Sequence, residues 1–359
     1  MMRSVTVVGG GVIGLFVARA AANAGWTTTL ADPVFGCRRI GDGAASWVAG
    51  GMLAPLSEGW PGEHELLAFG AESLSRWHRL DLGRDVVTST GSLTVAFDAA
   101  DAADLRTVAE WVGAQGHDVA MLSRSDIRES EPAVSPRARL GLSAPNELAV
   151  DNRAVVAALE AEVLAAGVHV TTESVRELDT VSTEQVVVAA GWATSLLLPE
   201  VPVRPVKGEI LRLRARSGSA SAPTRTVRAS VNGRAVYLVP RPDGLVVGAT
   251  QYEHGDDTAV TVAGVRDLLA DAEAVFPAIG DYELVETAAG LRPGSPDNIP
   301  IVGRLDERVV VATGHGRNGV LLAPLTADAV VAELQGTPLP VAACARPTRF
   351  TPSLTGART

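Results

Sequence analysis

The chain opens with a strand, a glycine-rich turn and a helix, and this unit constrains the fold more than any other stretch. Residues 4–8 are an almost unbroken run of β-branched side chains, which predicts a buried parallel strand. Gly9, Gly11 and Gly14 follow with G-x-G-x-x-G spacing, and we expect a helix over residues 11–24. The glycines permit a tight turn, close approach of a pyrophosphate and close helix packing. The pattern predicts a dinucleotide site at the positive end of this helix.

A second strand over residues 27–31 ends in Asp32, which lies about 20 residues beyond the glycines, as this kind of site requires. A carboxylate there binds ribose hydroxyls and repels a 2′-phosphate. The spacing therefore favours a cofactor without that phosphate. The alternative is a glycine-rich turn in an ordinary strand-helix unit.

Composition narrows the class of protein. The 359 residues suffice for two domains, and 47% hydrophobic with 20% charged residues is typical of globular chains. A net charge of −10 with no basic patch argues against nucleic-acid and anionic-membrane partners. Cys37 and Cys344 are far apart and suggest neither a disulfide framework nor a metal site. We expect a cytoplasmic protein with no membrane span.

Small residues dominate positions 44–55, which predicts backbone pressed against a flat ligand rather than a helix; a flexible surface loop is the alternative. Strand-helix alternation returns after Asp151 and Asn152, which are expected to cap a helix over residues 154–166. From Arg204 to about Val285 the chain alternates as antiparallel strands do, with a hairpin turn at 241–244.

A second strand-to-glycine-to-helix turn lies near the C-terminus. A buried strand over residues 309–314 runs into Gly314-His315-Gly316-Arg317-Asn318-Gly319 and then a helix over residues 320–334. The N-terminus of that helix would direct backbone N–H groups at the electron-rich pyrimidine end of a flavin. This second turn separates flavoenzymes from simple nicotinamide dehydrogenases.

With both turns in place the chain resembles the FAD-dependent amine oxidases of the D-amino-acid oxidase family, most closely the glycine oxidases of thiamine biosynthesis. The last two of the motifs that carry the resemblance are specific when they occur together and in order. These motifs are Val8–Gly14, Ser46–Pro55, Val203–Glu209, Tyr237–Arg241, Ala289–Asp297 and Gly314–Pro324.

The resemblance implies an α/β fold, α+β overall, with a Rossmann-like FAD-binding domain of the glutathione-reductase-like type and an inserted, mainly antiparallel-sheet substrate domain. We assign residues 1–85, 142–203 and 286–345 to the FAD-binding domain and residues 86–141 and 204–285 to the substrate-binding domain. Residues 346–359 form a tail.

The implied cofactor is a non-covalent FAD, because no cysteine or histidine lies in an attachment motif. Gly191, which follows a predicted strand over residues 185–190, is included with the glycine fingerprint among its expected contacts. The contacts implied by the resemblance are Val12, Ile13, Asp32, Pro33, Ala45, Ser46, Gly50, Gly51, Met52, Val175, His315, Gly316, Arg317, Asn318, Gly319, Val320 and Leu321.

For the substrate, the resemblance implies that Arg292 binds the carboxylate, aided by Tyr237, with Arg317 nearby. A guanidinium can bind a carboxylate through two parallel hydrogen bonds, which fixes the orientation of a bound amino-acid substrate. Gln251 stands where some relatives carry an apolar pocket residue, which leaves the substrate range open. The alternatives are an interface salt bridge for Arg292 and a core position for Tyr237.

The expected reaction is oxidative deamination of glycine, with sarcosine and small D-amino acids as further candidates, by dioxygen. The products are an imino acid or 2-oxo acid, ammonia and hydrogen peroxide. No catalytic side chain is predicted, because flavin chemistry on a neutral amine needs no strong protein base. The resemblance also implies a hand-off of the imine to thiazole synthase, and it leaves a homo-oligomer open.

Two other functions stay open at this point. One is a D-amino-acid or sarcosine-type dehydrogenase that passes electrons to another acceptor, which peroxide formation would distinguish. The other is a non-catalytic flavin-binding module, whose flavin no amino acid would reduce.

Overall fold

The computed structural model describes residues 3–37, 43–83 and 85–350. The described strands are β1 (Ser4–Val8), β2 (Thr27–Ala31), β3 (Met52–Leu53), β4 (Val87–Ala96), β5 (Ala120–Ser123), β6 (Leu140–Val150), β7 (His169–Thr171), β8 (Gln185–Val188), β9 (Arg204–Arg214), β10 (Thr226–Val231), β11 (Arg234–Arg241), β12 (Gly244–Gly248), β13 (Glu283–Gly294), β14 (Ile301–Arg304) and β15 (Val309–Thr313). The described α-helices are α1 (Val12–Asn23), α2 (Ala45–Val48), α3 (His64–Trp77), α4 (Ala99–Ala114), α5 (Arg124–Ser130), α6 (Asn152–Ala165), α7 (Thr194–Leu197), α8 (Val262–Val275) and α9 (Gly319–Leu334). Short 3-10 segments cover Leu178–Thr180, Gly191–Ala193, Pro277–Asp281, Gly316–Asn318, Pro340–Ala345 and Pro347–Phe350.

The chain divides into two compact units. Unit 1 consists of Met1–Arg38, Val156–Val206 and Arg292–Thr359, and unit 2 consists of Arg39–Val155 and Lys207–Leu291. Of the described residues, contacts group 43–83, 85, 142–155 and 286–291 with unit 2, whereas the sequence assigns them to the FAD-binding domain, and contacts group 204–206 with unit 1 instead of the substrate-binding domain. The functional assignment of the domains stays a prediction. Of the predicted tail, residues 351–359 lie outside the described part of the chain.

Unit 1 is built on a six-stranded sheet in the order β14-β15-β8-β1-β2-β7. All its neighbouring strands pair in parallel except β14, which runs antiparallel at one edge. Every residue of β15 is buried, as is usual in a parallel sheet covered on both faces. Helices α1 and α9 pack against each other. The later strands β7 and β8 flank β2 and β1, which confirms the predicted return to strand-helix alternation.

Unit 2 contains the second sheet, in the order β13-β9-β12-β11-β10-β4-β6-β3, with β5 paired to β6. The pairs β9–β12, β12–β11, β11–β10, β4–β6, β6–β3 and β5–β6 are antiparallel, whereas β10 pairs with β4 in parallel. The β11–β12 hairpin closes with Arg241 opposite Gly244, as predicted. One face packs Leu211, Leu238 and Val247 against Leu268 and Phe276. Two boundaries between the units along the chain fall within strands: the one after Val206 lies in β9, and the one after Leu291 lies in β13.

Two helices differ from expectation. Helix α8 lies in a stretch for which the alternation predicts antiparallel strands; Thr261 caps it by accepting the Gly264 N–H at 3.0 Å. Its buried residues Leu268, Ala272 and Val275 follow helical spacing. Helix α2 is a single turn in the small-residue segment, for which the sequence predicts backbone pressed against a flat ligand rather than a helix. Among the helices described, none is long and apolar enough to cross a bilayer.

Candidate functional site

The turn between β1 and α1 has the geometry that its glycines predict. Gly9 has φ +101°, and a Cβ there would lie 2.6 Å from the Ala189 carbonyl oxygen. A Cβ on Gly14 would overlap the Gly9 carbonyl oxygen, so only glycine lets α1 approach β1 this closely. Gly11 is the N-cap of α1 and supplies no side-chain cap. The start of the helix is therefore shaped by backbone alone.

Asp32 is buried directly after β2, and its carboxylate accepts hydrogen bonds from two backbone N–H groups, those of Gly10 and Val34. A Cβ on Gly10 would lie 2.6 Å from Asp32 Oδ2. Gly10 is thus a constrained position that the fingerprint spacing does not single out, although the run of three glycines contains the signal. A glycine cradle at a helix N-terminus with a carboxylate beside it fits the ribose and pyrophosphate of a dinucleotide such as FAD. Pro33, an expected contact, follows as an exposed residue.

The second predicted turn leads from β15 to α9. Gly314 has φ +73°, and a Cβ there would lie 3.0 Å from Ile301 Cγ1. Residues Gly316–Asn318 form a 3-10 turn that runs directly into α9. No side chain caps α9 at Asn318, and its first turn carries no acidic residue. Such a helix start can stabilise negative charge on a bound group.

His315 is buried inside this turn, and its Nε2 lies 3.0 Å from Thr326 Oγ1. Burial lowers the pKa of His315 to about 3, so the ring is neutral at physiological pH. Its Nδ1 has no hydrogen-bond partner among the described residues. An orphaned buried polar atom beside a helix start again fits a polar ligand at this turn.

The two predicted arginines of unit 1 lie on adjoining segments. Gly294 in β13 forms an antiparallel bridge with His315. Arg292 lies two residues before Gly294 in β13, and Arg317 lies two residues after His315, within the 3-10 turn. Arg292 is half-buried and Arg317 is exposed. Two cations on neighbouring segments favour an anionic substrate group.

Gly191 and Val175, also predicted as cofactor contacts, lie in unit 1. Gly191 has φ +60°, and its carbonyl oxygen accepts a hydrogen bond from Thr313 Oγ1 at 2.8 Å, which ties the end of β8 to the end of β15. Val175 is half-buried and packs on the core that includes Val8 and Val188.

In unit 2 the structure brings Tyr237 together with the small-residue segment. A Cβ on Gly50 would lie 2.7 Å from the Tyr237 ring, and one on Gly248 would overlap it. Met52 and Tyr237 both pack on the core that includes Val239. Gly51 has φ +79°, and its carbonyl oxygen accepts from Val150 N–H at 2.8 Å. Ala45 and Ser46 lie in α2.

Gln251 is exposed, in the segment between β12 and α8. Its neighbour Tyr252 exchanges two backbone hydrogen bonds with Lys207, at 2.8 and 3.0 Å. Lys207 is the only lysine of the chain and is 1% exposed. Its Nζ donates to Asp257 at 2.6 Å and to the Ala259 carbonyl oxygen, and it lies 3.5 Å from buried Glu209. A buried ion-pair network therefore fixes the segment that carries Gln251.

Sequence reasoning missed a second buried charge in unit 2, Glu147. Its carboxylate accepts from Leu56 N–H at 2.6 Å, from Ser57 N–H and Oγ at 2.8 Å each, and from Ser92 Oγ. Burial raises the pKa of Glu147, against the opposing effect of these donors and Arg228. Glu147 and Ser57 are 90 positions apart, so no local pattern could have paired them.

Comparisons with known proteins agree with this geometry. The family model for DAO, FAD dependent oxidoreductase, matches residues 4–334. The chain is 34% identical to a putative thiamine biosynthesis oxidoreductase ThiO from Rhizobium etli, over 93% of this chain and 98% of that one. It is 31% identical to the bifunctional protein ThiO/ThiG from Nostoc sp. over 93% of this chain, yet it spans only about half of that relative (53%).

Among solved structures, the crystal structure of glycine oxidase from Geobacillus kaustophilus has a TM-score of 0.88 and 28% identity, covering 97% of this chain and 99% of that one. The fold class that the family resemblance implies is confirmed by this match. FAD as the cofactor is confirmed by the family model. The chain belongs to the DAO family of FAD-dependent oxidoreductases.

Proposed function

We propose that this enzyme oxidises glycine and closely related small amino acids with dioxygen, yielding the imino acid or 2-oxo acid, ammonia and hydrogen peroxide. The observation that carries the proposal is the antiparallel bridge between Gly294 and His315, which sets Arg292 beside the turn that begins α9. A residue whose side chain can bind a carboxylate thus lies two positions along β13 from the bridge to this turn, and the helix start that follows the turn can stabilise negative charge. Relatives named ThiO and glycine oxidase support the substrate class.

Bound FAD would supply two-electron oxidation of the substrate amine, with dioxygen as the final electron acceptor. The chain's own part is positioning. Arg292 would hold the substrate carboxylate in a bidentate pair and so decide which face of Cα is presented. Burial lowers the pKa of His315 to about 3, so the ring is too weak a base to take up a proton at physiological pH and would serve by packing and through its backbone. The remaining predicted site residues, including Tyr237, Arg317 and Gln251, stay proposals.

The direct test is anaerobic reduction of the flavin by glycine, sarcosine, D-alanine and D-proline in parallel, followed by air and a peroxide assay. We expect glycine to bleach the flavin and air to restore the colour with one peroxide per flavin. Bleaching without peroxide would indicate a dehydrogenase with another acceptor. A flavin that none of these amines bleaches would contradict the proposal.

Arg292→Ala tests the carboxylate site. Truncating one member of a buried charged pair typically costs ~2–5 kcal/mol, so we expect kcat/KM for glycine to fall about 30- to 5,000-fold with a near-normal flavin spectrum. Arg292→Lys should recover only part, because an ammonium lacks the planar fork. The control substrate is an amine without a carboxylate, over which the parent should prefer glycine strongly. Unchanged glycine oxidation by Arg292→Ala would make Arg292 a structural residue.

We also propose that the imine feeds the thiazole branch of thiamine synthesis through a thiazole synthase. The support is that relatives join ThiO and ThiG in one bifunctional protein. A strain lacking this gene should then need thiamine or its thiazole for growth, and the parent gene should complement it while Arg292→Ala should not. Growth without supplement would contradict the assignment.

A further inference from the structure

The backbone of residues 46–51 in unit 2 is held through its carbonyl oxygens by side chains from other elements. Asn152, at the start of α6, donates from Nδ2 to the carbonyl oxygens of Ser46 at 2.8 Å and Trp47 at 2.9 Å. Arg153 donates from Nε to the same Trp47 oxygen at 3.2 Å. Arg241, at the end of β11, donates to the Gly50 oxygen at 2.9 Å. We call Asn152, Arg153 and Arg241 the carbonyl clamp.

Each member of the carbonyl clamp is itself fixed. Asn152 is 1% exposed, and its Oδ1 accepts a hydrogen bond from Arg212 at 3.1 Å. Both the oxygen and the nitrogen of its side-chain amide are therefore hydrogen-bonded. Arg153 forms a bidentate pair with Glu286, at 2.6 and 3.0 Å. Its guanidinium also lies 4.9 Å from the centre of the Trp47 ring. The clamp therefore has little freedom to relax if residues 46–51 move.

Arg241 is the most unusual member. Its side chain is 6% exposed, and its nearest carboxylate, Asp151, is 3.7 Å from Nε. Burial lowers the pKa of Arg241 to about 10, with Asp151 acting in the opposite direction. The guanidinium nevertheless stays charged at neutral pH and donates to two carbonyl oxygens, those of Gly50 and Pro240. Burying a guanidinium costs desolvation free energy, and here the cation is spent on backbone carbonyl oxygens. This indicates that the orientation of those carbonyls has a role.

The orientation of the Gly50 carbonyl group sets the direction in which the Gly51 N–H points. In a planar trans peptide the C=O and the following N–H point in opposite directions. Holding the Gly50 oxygen on Arg241 therefore turns the Gly51 N–H away from Arg241. Gly50 and Gly51 are both buried. Among the residues that the structure describes, none accepts a hydrogen bond from the Gly51 N–H. A buried N–H without an acceptor in the protein fits a bound ligand that supplies the acceptor atom.

We propose that Arg241 is a positioning residue for the cofactor: it orients the Gly50–Gly51 peptide so that the Gly51 N–H donates to an acceptor atom of the flavin ring, while Asn152 and Arg153 hold residues 46–47 in the same way. The inference rests on the proposed role of residues 45–52 as FAD contacts. It assigns a task to three residues outside the predicted cofactor and substrate contacts. A donor fixed on the ring should tighten FAD binding and raise its reduction potential, because reduction adds negative charge.

The test compares Arg241→Met, Arg241→Lys and Arg234→Met as purified apoproteins reloaded with FAD. Arg234 begins the same strand and pairs with Asp271 at 2.6 and 2.8 Å, which makes Arg234→Met the matched control. The measurements are the FAD dissociation constant from flavin fluorescence, the visible spectrum, the two-electron potential and the apoprotein unfolding midpoint. None of them requires turnover.

We expect Arg241→Met to weaken FAD binding about 3- to 10-fold, the effect of losing one neutral hydrogen bond from the Gly51 N–H, with a shifted visible band and a lower potential. Arg241→Lys should recover part of the affinity, because one ammonium donor can still reach the Gly50 oxygen. Arg234→Met should bind FAD within twofold of the parent. If Arg241→Met does not fold, Asn152→Asp provides the second variant: it keeps the acceptor for Arg212, loses both Nδ2 donors and should weaken FAD binding similarly.

The proposal is overturned if Arg241→Met binds FAD within twofold of the parent with the same spectrum and potential. It is also overturned if Arg234→Met weakens FAD binding as much, since the effect would then be general to the strand. The proposal of glycine oxidation and the proposal for Arg241 can be contradicted independently of each other. A parent whose flavin no amine bleaches contradicts glycine oxidation, yet FAD affinity and potential still decide the role of Arg241.

Discussion

The two units prepare their predicted binding segments by different physical means. In unit 1 the turns before α1 and α9 are shaped by backbone, with Gly9, Gly14 and Gly314 at positions where a Cβ would meet another residue. In unit 2 the segment from residue 46 to residue 57 is held by buried polar side chains, chiefly Asn152, Arg241 and Glu147. The backbone turns depend on a few adjacent residues, whereas the side-chain supports depend on partners far apart in the chain.

This difference has an energetic consequence. A glycine cradle is intolerant of any side chain but contains no buried charge that must stay paired. A buried carboxylate or guanidinium tolerates conservative exchange, yet loss of one partner leaves the others desolvated and unsatisfied. The following predictions test this contrast, from the largest expected effect to the smallest.

Gly14→Val should have the largest effect. Its Cβ would overlap the Gly9 carbonyl oxygen, so α1 cannot pack on β1 without a backbone shift. We expect a protein that retains no FAD after gel filtration and yields little folded material. The control is Gly113→Ala in α4, where the glycine is exposed and a Cβ meets nothing within 4 Å; it should stabilise the fold by ~0.4–1 kcal/mol. A yellow, stable Gly14→Val protein would show that the cradle tolerates a side chain.

Glu147→Ala should be the next largest, costing about 3 kcal/mol of unfolding free energy or more in denaturant titration. It leaves the Leu56 and Ser57 N–H groups without their acceptor. Glu147→Gln should cost much less, because one amide oxygen can accept from both N–H groups and the amide nitrogen can donate to Ser57 and Ser92 Oγ. Equal costs for the two variants would show that the carboxylate charge itself is required.

Glu147 also makes a pH prediction with a definite sign. Its folded pKa is raised above the ordinary value of 4.5, so the folded state holds the proton to higher pH than the unfolded state does. The stability that Glu147 contributes is complete below pH 4.5 and falls as the pH rises through the folded pKa. The free-energy difference between the parent and Glu147→Gln should therefore shift against the parent over that window. A difference that grows in favour of the parent would contradict the raised pKa.

The smallest expected effect concerns the network around Lys207. Because Lys207 is the only lysine, an amine-selective reagent can modify only that side chain and a free N-terminal amine, and mass mapping separates the two. In the folded protein Lys207 should be protected, since it is 1% exposed under the segment that carries Asp257. Asp257→Asn should raise its modification rate about threefold to tenfold, the effect of weakening one charged hydrogen bond. Asp256→Asn, at an exposed neighbour outside this network, should leave the modification rate of Lys207 unchanged. Equal rates for both variants would show that the network does not protect Lys207.

Much of unit 1 could be predicted because its determinants are local. Gly9, Gly11, Gly14 and Asp32 lie within one strand-helix-strand unit, and their spacing follows from the turn that they build. The strand and helix at residues 309–334 were likewise predicted within a residue or two. Helix α8 was missed, because the alternation of the strands was extended over the whole stretch from Arg204 to about Val285.

The supports of unit 2 could not be predicted, for a physical reason. Glu147 meets Ser57 across 90 positions, and Arg241 meets Gly50 across 191. A buried polar side chain needs a partner in space, and any residue with a donor or a carbonyl oxygen can be that partner, so the sequence carries no spacing that would identify it.

The sequence by itself determined the dinucleotide cradle, because glycine conformation and helix starts are properties of adjacent residues, and the resemblance of its motifs determined the family and with it the α/β architecture. Only the tertiary structure decided which charges are buried, which carbonyl oxygens Asn152 and Arg241 hold, and that Arg292 and Arg317 lie on adjoining segments. Those contacts exist because folding removes water from groups distant in sequence, and each such group must then find its hydrogen-bond partner within the protein.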